Sequence, residues 1–166
     1  MGTGSGAIAI ALAKNCKLCD VTALDASEQA LTVAKENADR QGVNVDFQMS
    51  YWFDQLRTQQ FDLIVSNPPY LAEKDPHLTQ TSLPFEPITA LTSGSDGLDD
   101  IRHIVAHSRQ WLVPNGYLLL EHGYDQASTV QELFRYHGFS QIQTFRDIAG
   151  NDRVTLAQSV SDAGII

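Results

Sequence analysis

Asn67-Pro68-Pro69-Tyr70 sets an amide, two prolines and a phenol ring directly after the apolar run Phe61-Asp62-Leu63-Ile64-Val65-Ser66. The prolines fix φ at consecutive residues and carry no N–H. The Asn67 side-chain oxygen and the Pro68 carbonyl can therefore point the same way as acceptors, with the flat face of Tyr70 beside them. Such a set can hold a planar NH2 group still. An ordinary strand exit with prolines as breakers uses the same four residues, so the discrimination comes from upstream. There Gly2-Thr3-Gly4-Ser5-Gly6 runs into the Ala-rich segment 7–13, a glycine loop at a helix N-terminus. A ligand can approach such a backbone closely, and the first helical amides face it. Asp25, 19 residues past Gly6, closes the next apolar run, where a carboxylate can accept both hydroxyls of a ribose. The glycine spacing departs from the G-x-G-x-x-G of dinucleotide enzymes, and a nucleoside ligand without a pyrophosphate fits better.

The elements that must position these residues alternate. The buried helix over 7–13 is followed by a strand over 18–24 ending on Asp25 and by a helix capped by Ser27. That helix has Ala30, Leu31, Ala34 and Ala38 on one face and stops at Gly42. Short strands over 43–47 and 61–66 precede the proline turn, and a long loop runs from Leu71 to about Ser93. A loop of that length in a compact domain is usually functional. The next helix turns Leu98, Ile101, Ile104, Val105, Ser108 and Leu112 inward, and Pro114-Asn115-Gly116 turns the chain into a buried strand over 117–121. Val130, Leu133, Phe134 and His137 mark a last helix ending at Gly138. Residues 140–146 and 153–158 form two strands around a turn at 149–152. This order predicts an α/β, mostly parallel sheet finishing in an antiparallel hairpin. In such sheets ligands bind at the carboxyl ends of the strands, where the glycine loop, Asp25 and the proline turn all fall.

Composition narrows the function classes. The chain has 166 residues, 43% apolar and 19% charged, which suits one domain with a sizeable core. Eleven Lys and Arg against 20 Asp and Glu give a net charge of −9, a field that repels phosphate backbones and tolerates a cationic ligand. Nucleic acid is therefore disfavoured as a direct partner. The apolar run 7–13 is too short to span a bilayer and no basic residue precedes it, so neither membrane nor signal segment is expected. Cys16 and Cys19 have no further Cys or His pair at zinc spacing; they read as unbonded structural cysteines in a reducing cytoplasm. His103 and His107 lie at i, i+4 without a third ligand, and no metal is assigned.

Taken together, the glycine loop with Ala7-Ile8-Ala9, Asp25, Trp52-Phe53, Ser66 to Tyr70, Phe85-Glu86-Pro87, Ala90-Leu91, Leu120-Glu121-His122-Gly123 and Arg153-Val154 resemble the protein-glutamine N-methyltransferases that modify peptide chain release factors. The likeness runs from Gly2 to about Gln158. It implies a Rossmann-like class I fold and S-adenosyl-L-methionine as methyl donor. The implied substrate is the glutamine of the Gly-Gly-Gln motif in class 1 release factors, methylated by a cytoplasmic monomer. By position, Gly2, Thr3, Gly4, Ser5 and Gly6 line the methionine portion of the cofactor, Asp25 binds its ribose and Trp52 borders its adenine. Asn67 reaches both cofactor and substrate. With Pro68, Pro69 and Tyr70 it holds the substrate amide, and Asn67, Pro68 and Tyr70 carry the catalytic role. Glu86 either contacts the substrate or stiffens the long loop. Glu121 and His122 end a strand near the crevice, with a general-base role for His122 left open.

The chain departs from that family in two places. Met1 directly precedes the glycine loop, where the family has a central hydrophobic strand and, before it, a helical domain. The expectation is a catalytic domain over 1–158 lacking its first strand, then a flexible tail over 159–166. Tyr51 stands where the family usually has an acid before Trp52, which lowers the expected cofactor affinity. Two rival readings stay open: an adenine-N6 methyltransferase, since the proline turn suits any planar NH2, and an inactive remnant.

Overall fold

The computed structural model describes residues 1–57, 59–79 and 90–160, which fall into two compact units, Met1–Thr58 and Gln59–Ile166. Phe85-Glu86-Pro87 and the end of the expected tail lie outside the described residues.

In the first unit, α1 (Ala7–Asn15) starts at Gly6, whose φ of 84° is left-handed. A Cβ at Gly6 would sit 3.0 Å from the Cβ of Ala34, so the glycine sets how closely α1 approaches α2 (Glu28–Gln41). The Ser27 side chain accepts the Ala30 N–H, and Gly42 ends α2 in the left-handed region, as expected from its caps. Leu31, Ala34 and Ala38 are its buried face. The expectation of a fully buried α1 fails: Ala9 and Ile10 are buried, but Ile8 is 44% and Leu12 37% exposed. Its apolar residues surround the helix, and α2 covers one side only. Strands β1 (Thr22–Asp25) and β2 (Asp46–Met49) pair in parallel. β1 begins four residues later than expected, because residues 16–19 make a turn that leaves Leu18 exposed and residues 19–21 are irregular.

That turn also corrects the cysteine reading. Cys16 caps the end of α1 and accepts the Cys19 N–H at 3.2 Å, which brings the two Cα atoms to 5.4 Å, and a disulfide joins them. The argument from unbonded cysteines to a reducing compartment therefore falls away.

The second unit holds a four-stranded sheet in the order β3-β4-β6-β5: β3 (Phe61–Ser66), β4 (Leu112–Glu121), β5 (Phe139–Arg146) and β6 (Asp152–Ser159). β3 and β4 are parallel, whereas β6 runs antiparallel to both β4 and β5. The parallel pairs and closing hairpin match the α/β arrangement expected. Two boundaries differ. Helix α3 (Asp99–Ser108) ends in a tight turn over Arg109–Trp111, so Leu112 is the first strand residue, paired with Phe61. The Pro114-Asn115-Gly116 turn is a bulge inside β4: Phe61 faces Leu112 and Leu63 faces Tyr117, so the intervening β4 residues loop out opposite Asp62. Asn115 takes a φ of 65° there.

Ile101, Ile104 and Val105 of α3, Val130 and Phe134 of α4 (Ala127–Tyr136) and Leu118 and Leu120 of β4 are fully buried. At roughly 1.5–3 kcal/mol per large apolar side chain, this cluster supplies the rigidity behind the carboxyl ends of β3 and β4. Among the described residues, no helix is long and apolar enough to cross a membrane.

Candidate functional site

The candidate site residues fall into two groups, one in each unit. In the first, Asp25 ends β1 and its carboxylate organises the glycine loop. One oxygen accepts the Gly4 N–H at 2.8 Å and the other accepts the Ser27 N–H at 2.9 Å. The Thr3 N–H donates to the Leu24 carbonyl at 2.9 Å, so the loop is pinned to β1 at the successive amides of Thr3 and Gly4. Each carboxylate oxygen retains a lone pair, which is what a vicinal diol needs from one acceptor group. Gly4, at φ 54°, has open space where a Cβ would stand, leaving room for a ligand against the backbone. The Asn37 side chain donates to the Ser5 carbonyl at 2.9 Å, fixing the far side of the loop to α2.

The segment after β2 is tied to the same carboxylate residue. The Ser50 N–H donates to the Asp25 carbonyl at 2.9 Å, and the Ser50 hydroxyl donates to the Trp52 carbonyl at 3.0 Å. Trp52 is 8% exposed with φ 44°, whereas Tyr51 is 54% exposed. The structure thus brings together Gly2 to Gly6, Asp25 and the Trp52 backbone. It tucks the indole inward and turns the Tyr51 ring outward. The Ser27 cap was visible in spacing; the Asp25 bonds to Gly4 and Ser27 and the contacts of Ser50 and Asn37 were not, since most of them cross between elements.

In the second unit Asn67 follows the last residue of β3 and is exposed. Its side-chain amide makes no hydrogen bond among the described residues, although Pro68 beside it is fully buried. Pro69 and Tyr70 are half-buried. The Tyr70 hydroxyl donates to Glu121 at 3.4 Å; burial, then the neighbouring Glu121 carboxylate, raises its pKa above 10.0 and keeps it protonated. Arg153 donates to the His122 carbonyl at 3.1 Å and pairs with Asp147 at 3.4 Å. Backbone N–H donation from Asn151 holds the Asp147 carboxyl below its ordinary value.

His122 is not available as a general base. It is 0% exposed, and both ring nitrogens are engaged: Nδ1 with the Gly123 carbonyl and Nε2 with the Thr155 hydroxyl, each at 2.8 Å. Burial lowers its pKa below 6.5, so it stays neutral. Gln126 is the residue that sequence reasoning missed. It carried no motif, yet it bonds to both Gly123 and Tyr70.

Comparison with known proteins adds the following. Residues 1–85 match the methyltransferase small domain. The chain is 47% identical over 156 residues to a release factor glutamine methyltransferase of Salmonella typhimurium, covering 93% of this chain and 56% of that protein. It is 50% identical over 159 residues to that of Pseudomonas aeruginosa, covering 95% and 58%. The chain thus spans just over half the length of these relatives. Among solved structures it resembles a methyltransferase from Pyrococcus furiosus, with a TM-score of 0.74 and 19% identity over 96% of this chain and 73% of that one.

Proposed function

Since the chain belongs to the methyltransferase small domain family, we propose that it transfers a methyl group from S-adenosyl-L-methionine to the side-chain amide nitrogen of the glutamine in the Gly-Gly-Gln motif of class 1 peptide chain release factors. The observation that carries the reading is Asn67: an exposed amide at the end of a strand, unpartnered among the described residues, beside a buried proline. The relatives of 47% and 50% identity carry the name of this activity.

The donor's methyl group sits on a sulfonium, an excellent leaving group, so the cofactor supplies an electrophile and the protein must supply position. Gly2 to Gly6 would line its methionine portion, and Asp25 would accept the ribose hydroxyls with the lone pairs left after Gly4 and Ser27. The segment at Trp52 would border the adenine. An amide nitrogen is a poor nucleophile because its lone pair is shared with the carbonyl. The Asn67 side-chain oxygen and the Pro68 carbonyl accepting both N–H groups would favour positive character on that nitrogen as it attacks the methyl carbon; the thioether S-adenosyl-homocysteine leaves, and one N–H proton then passes to water. Pro69 stiffens the turn, and the Tyr70 ring packs beside the carboxamide. Most of the acceleration then comes from in-line positioning. No direct nucleic-acid contact and no membrane are needed, and a monomer suffices. A translation-factor substrate puts the protein in the cytoplasm.

The test is to incubate the chain with labelled cofactor and, separately, release factor or adenine-containing nucleic acid. Label is expected in the factor's glutamine. Asn67→Ala should remove most turnover, on the order of a hundredfold, while cofactor affinity measured by calorimetry stays nearly intact. Label in nucleic acid alone, or equal losses of turnover and cofactor affinity, would overturn the assignment.

A further inference from the structure

We infer that Gln126 is a positioning residue that fixes the Asn67-Pro68-Pro69-Tyr70 turn in its working geometry; the inference rests on the function proposed above. Two prolines in a row deprive the turn of backbone donors, so it cannot be held from within by N–H groups of residues 68 and 69. What holds it comes from elsewhere in the same unit. The Gln126 Nε2 donates to the Tyr70 carbonyl at 3.0 Å and to the Asp96 carbonyl at 3.4 Å. Its Oε1 accepts the Gly123 N–H at 2.8 Å, and its own backbone N–H donates to the Gly123 carbonyl at 3.0 Å.

One carboxamide thus ties together three backbone segments: the exit of the turn, the approach to α3 and the end of β4. Gln126 occupies the N-cap position of α4 but its side chain makes no capping bond there. A helix-capping role, the ordinary use of a polar residue at that place, is therefore not what its side chain does. Two glycines keep the space around it. A Cβ at Gly97 would lie 2.3 Å from the Tyr70 carbonyl oxygen and 3.0 Å from the Gln126 Nε2, and one at Gly123 would lie 3.1 Å from the Gln126 Oε1. The next residue is held as firmly: the Leu71 N–H donates to Leu91 and its carbonyl accepts from Ser93, both at 3.0 Å. Tyr70 links the donor-less prolines to that anchored bridge, and its peptide plane is held at both ends, by Gln126 at the Tyr70 carbonyl and by Leu91 at the Leu71 N–H. Because the Pro68 carbonyl is two peptide units upstream, a tilt there re-aims the acceptor that meets the substrate N–H.

The test uses Gln126→Leu, which removes both functions, and Gln126→Glu, which keeps the acceptor for Gly123 but turns a carboxylate oxygen toward two carbonyls. Both should lower kcat on release factor by about tenfold or more at about pH 8, with the cofactor KM and the melting temperature near wild type. As pH falls to about 5.5, the carboxyl introduced by Gln126→Glu takes up a proton and regains a donor for Tyr70, so the kcat ratio of that variant to wild type should rise. Wild-type kcat in both variants would overturn the inference while leaving the function standing. A loss that follows a lowered melting temperature with a flat ratio would also overturn it, showing that Gln126 only supports the fold. A wild-type chain that methylates no release-factor glutamine would defeat the function, and the inference with it.

Discussion

Thr155→Val should destabilise the second unit more than a near-isosteric change normally does. The reason is a hydrogen-bond chain whose direction is forced. The Gly123 carbonyl can only accept, so the His122 Nδ1 carries the proton and Nε2 is bare. Thr155 must then donate to Nε2, which leaves its oxygen to accept from Thr144 at 2.8 Å. Thr144 in turn accepts from the Gln131 amide at 2.9 Å. Every member of this neutral chain is satisfied. Valine in place of Thr155 removes one donor and one acceptor from the middle. His122 and Thr155 are both 0% exposed, so Nε2 cannot turn to water. Leaving it unpaired costs about 1–3 kcal/mol, and the half-buried Thr144 hydroxyl adds a cost at the low end of that range. The extra methyl returns up to about 0.8 kcal/mol. A net loss of roughly 2 kcal/mol should lower the melting temperature by about 4–8 °C. Urea unfolding followed by circular dichroism reads it directly. Adding Thr144→Val should cost less in the Thr155→Val background than in wild type, because the hydroxyl it removes is already orphaned. A Thr155→Val chain as stable as wild type would refute the forced direction, and with it the neutral tautomer assigned to His122.

Two further outcomes follow from the same geometry. Because burial lowers the folded-state pKa of His122 below 6.5, its contribution is whole above that pH and is lost as pH falls from the unfolded value toward the folded one. The slope there should reach at most about 1.4 kcal/mol per pH unit, and His122→Gln should remove it in urea melts run across the range. Asp25→Asn turns an amide NH2 toward either Gly4 or Ser27 and removes a ribose acceptor, so S-adenosyl-homocysteine should bind about tenfold or more weakly by calorimetry; unchanged affinity would take Asp25 out of the ribose site.

Local signals were readable from sequence where one residue determines them. Ser27 and Gly42 mark the ends of α2, Gly6 opens α1, and the Asn67 to Tyr70 turn sits where β3 ends. Boundaries failed where pairing overrode local preference. Pro114-Asn115-Gly116 has turn composition, yet pairing with β3 both before and after it, at Leu112 and from Tyr117 on, keeps the flanking residues in one strand, with β6 adding its bonds after it. The 7–13 run read as buried because its apolar residues leave no polar face, but burial depends on what surrounds a helix. The support of the turn was invisible for a different reason. Gln126 lies 56 positions from Tyr70 and Thr155 33 from His122, and neither distance leaves a periodic trace in the chain. A polar residue whose partner is set by tertiary packing looks, in sequence, like any surface glutamine or strand threonine.

The electrostatics behind the turn suit a reaction in which positive charge grows on an amide nitrogen. A cation fixed near the acceptors would oppose that charge, and two groups near Tyr70 could have supplied one. His122 is kept neutral by burial and by a hydrogen-bond chain that uses its bare nitrogen. Arg153 carries charge, but Asp147 stands 3.4 Å from it and backbone donors keep that carboxylate ionised. Tyr70 remains a neutral phenol, and the carboxylate of Glu121 receives its hydroxyl. The balance is therefore a carboxylate beside the phenol, a compensated guanidinium and an uncharged imidazole. On the proposed function, a carboxamide at the turn would meet neutral acceptors first with the Glu121 carboxylate behind them, which would lower the energy of the transition state more than that of the neutral ground state.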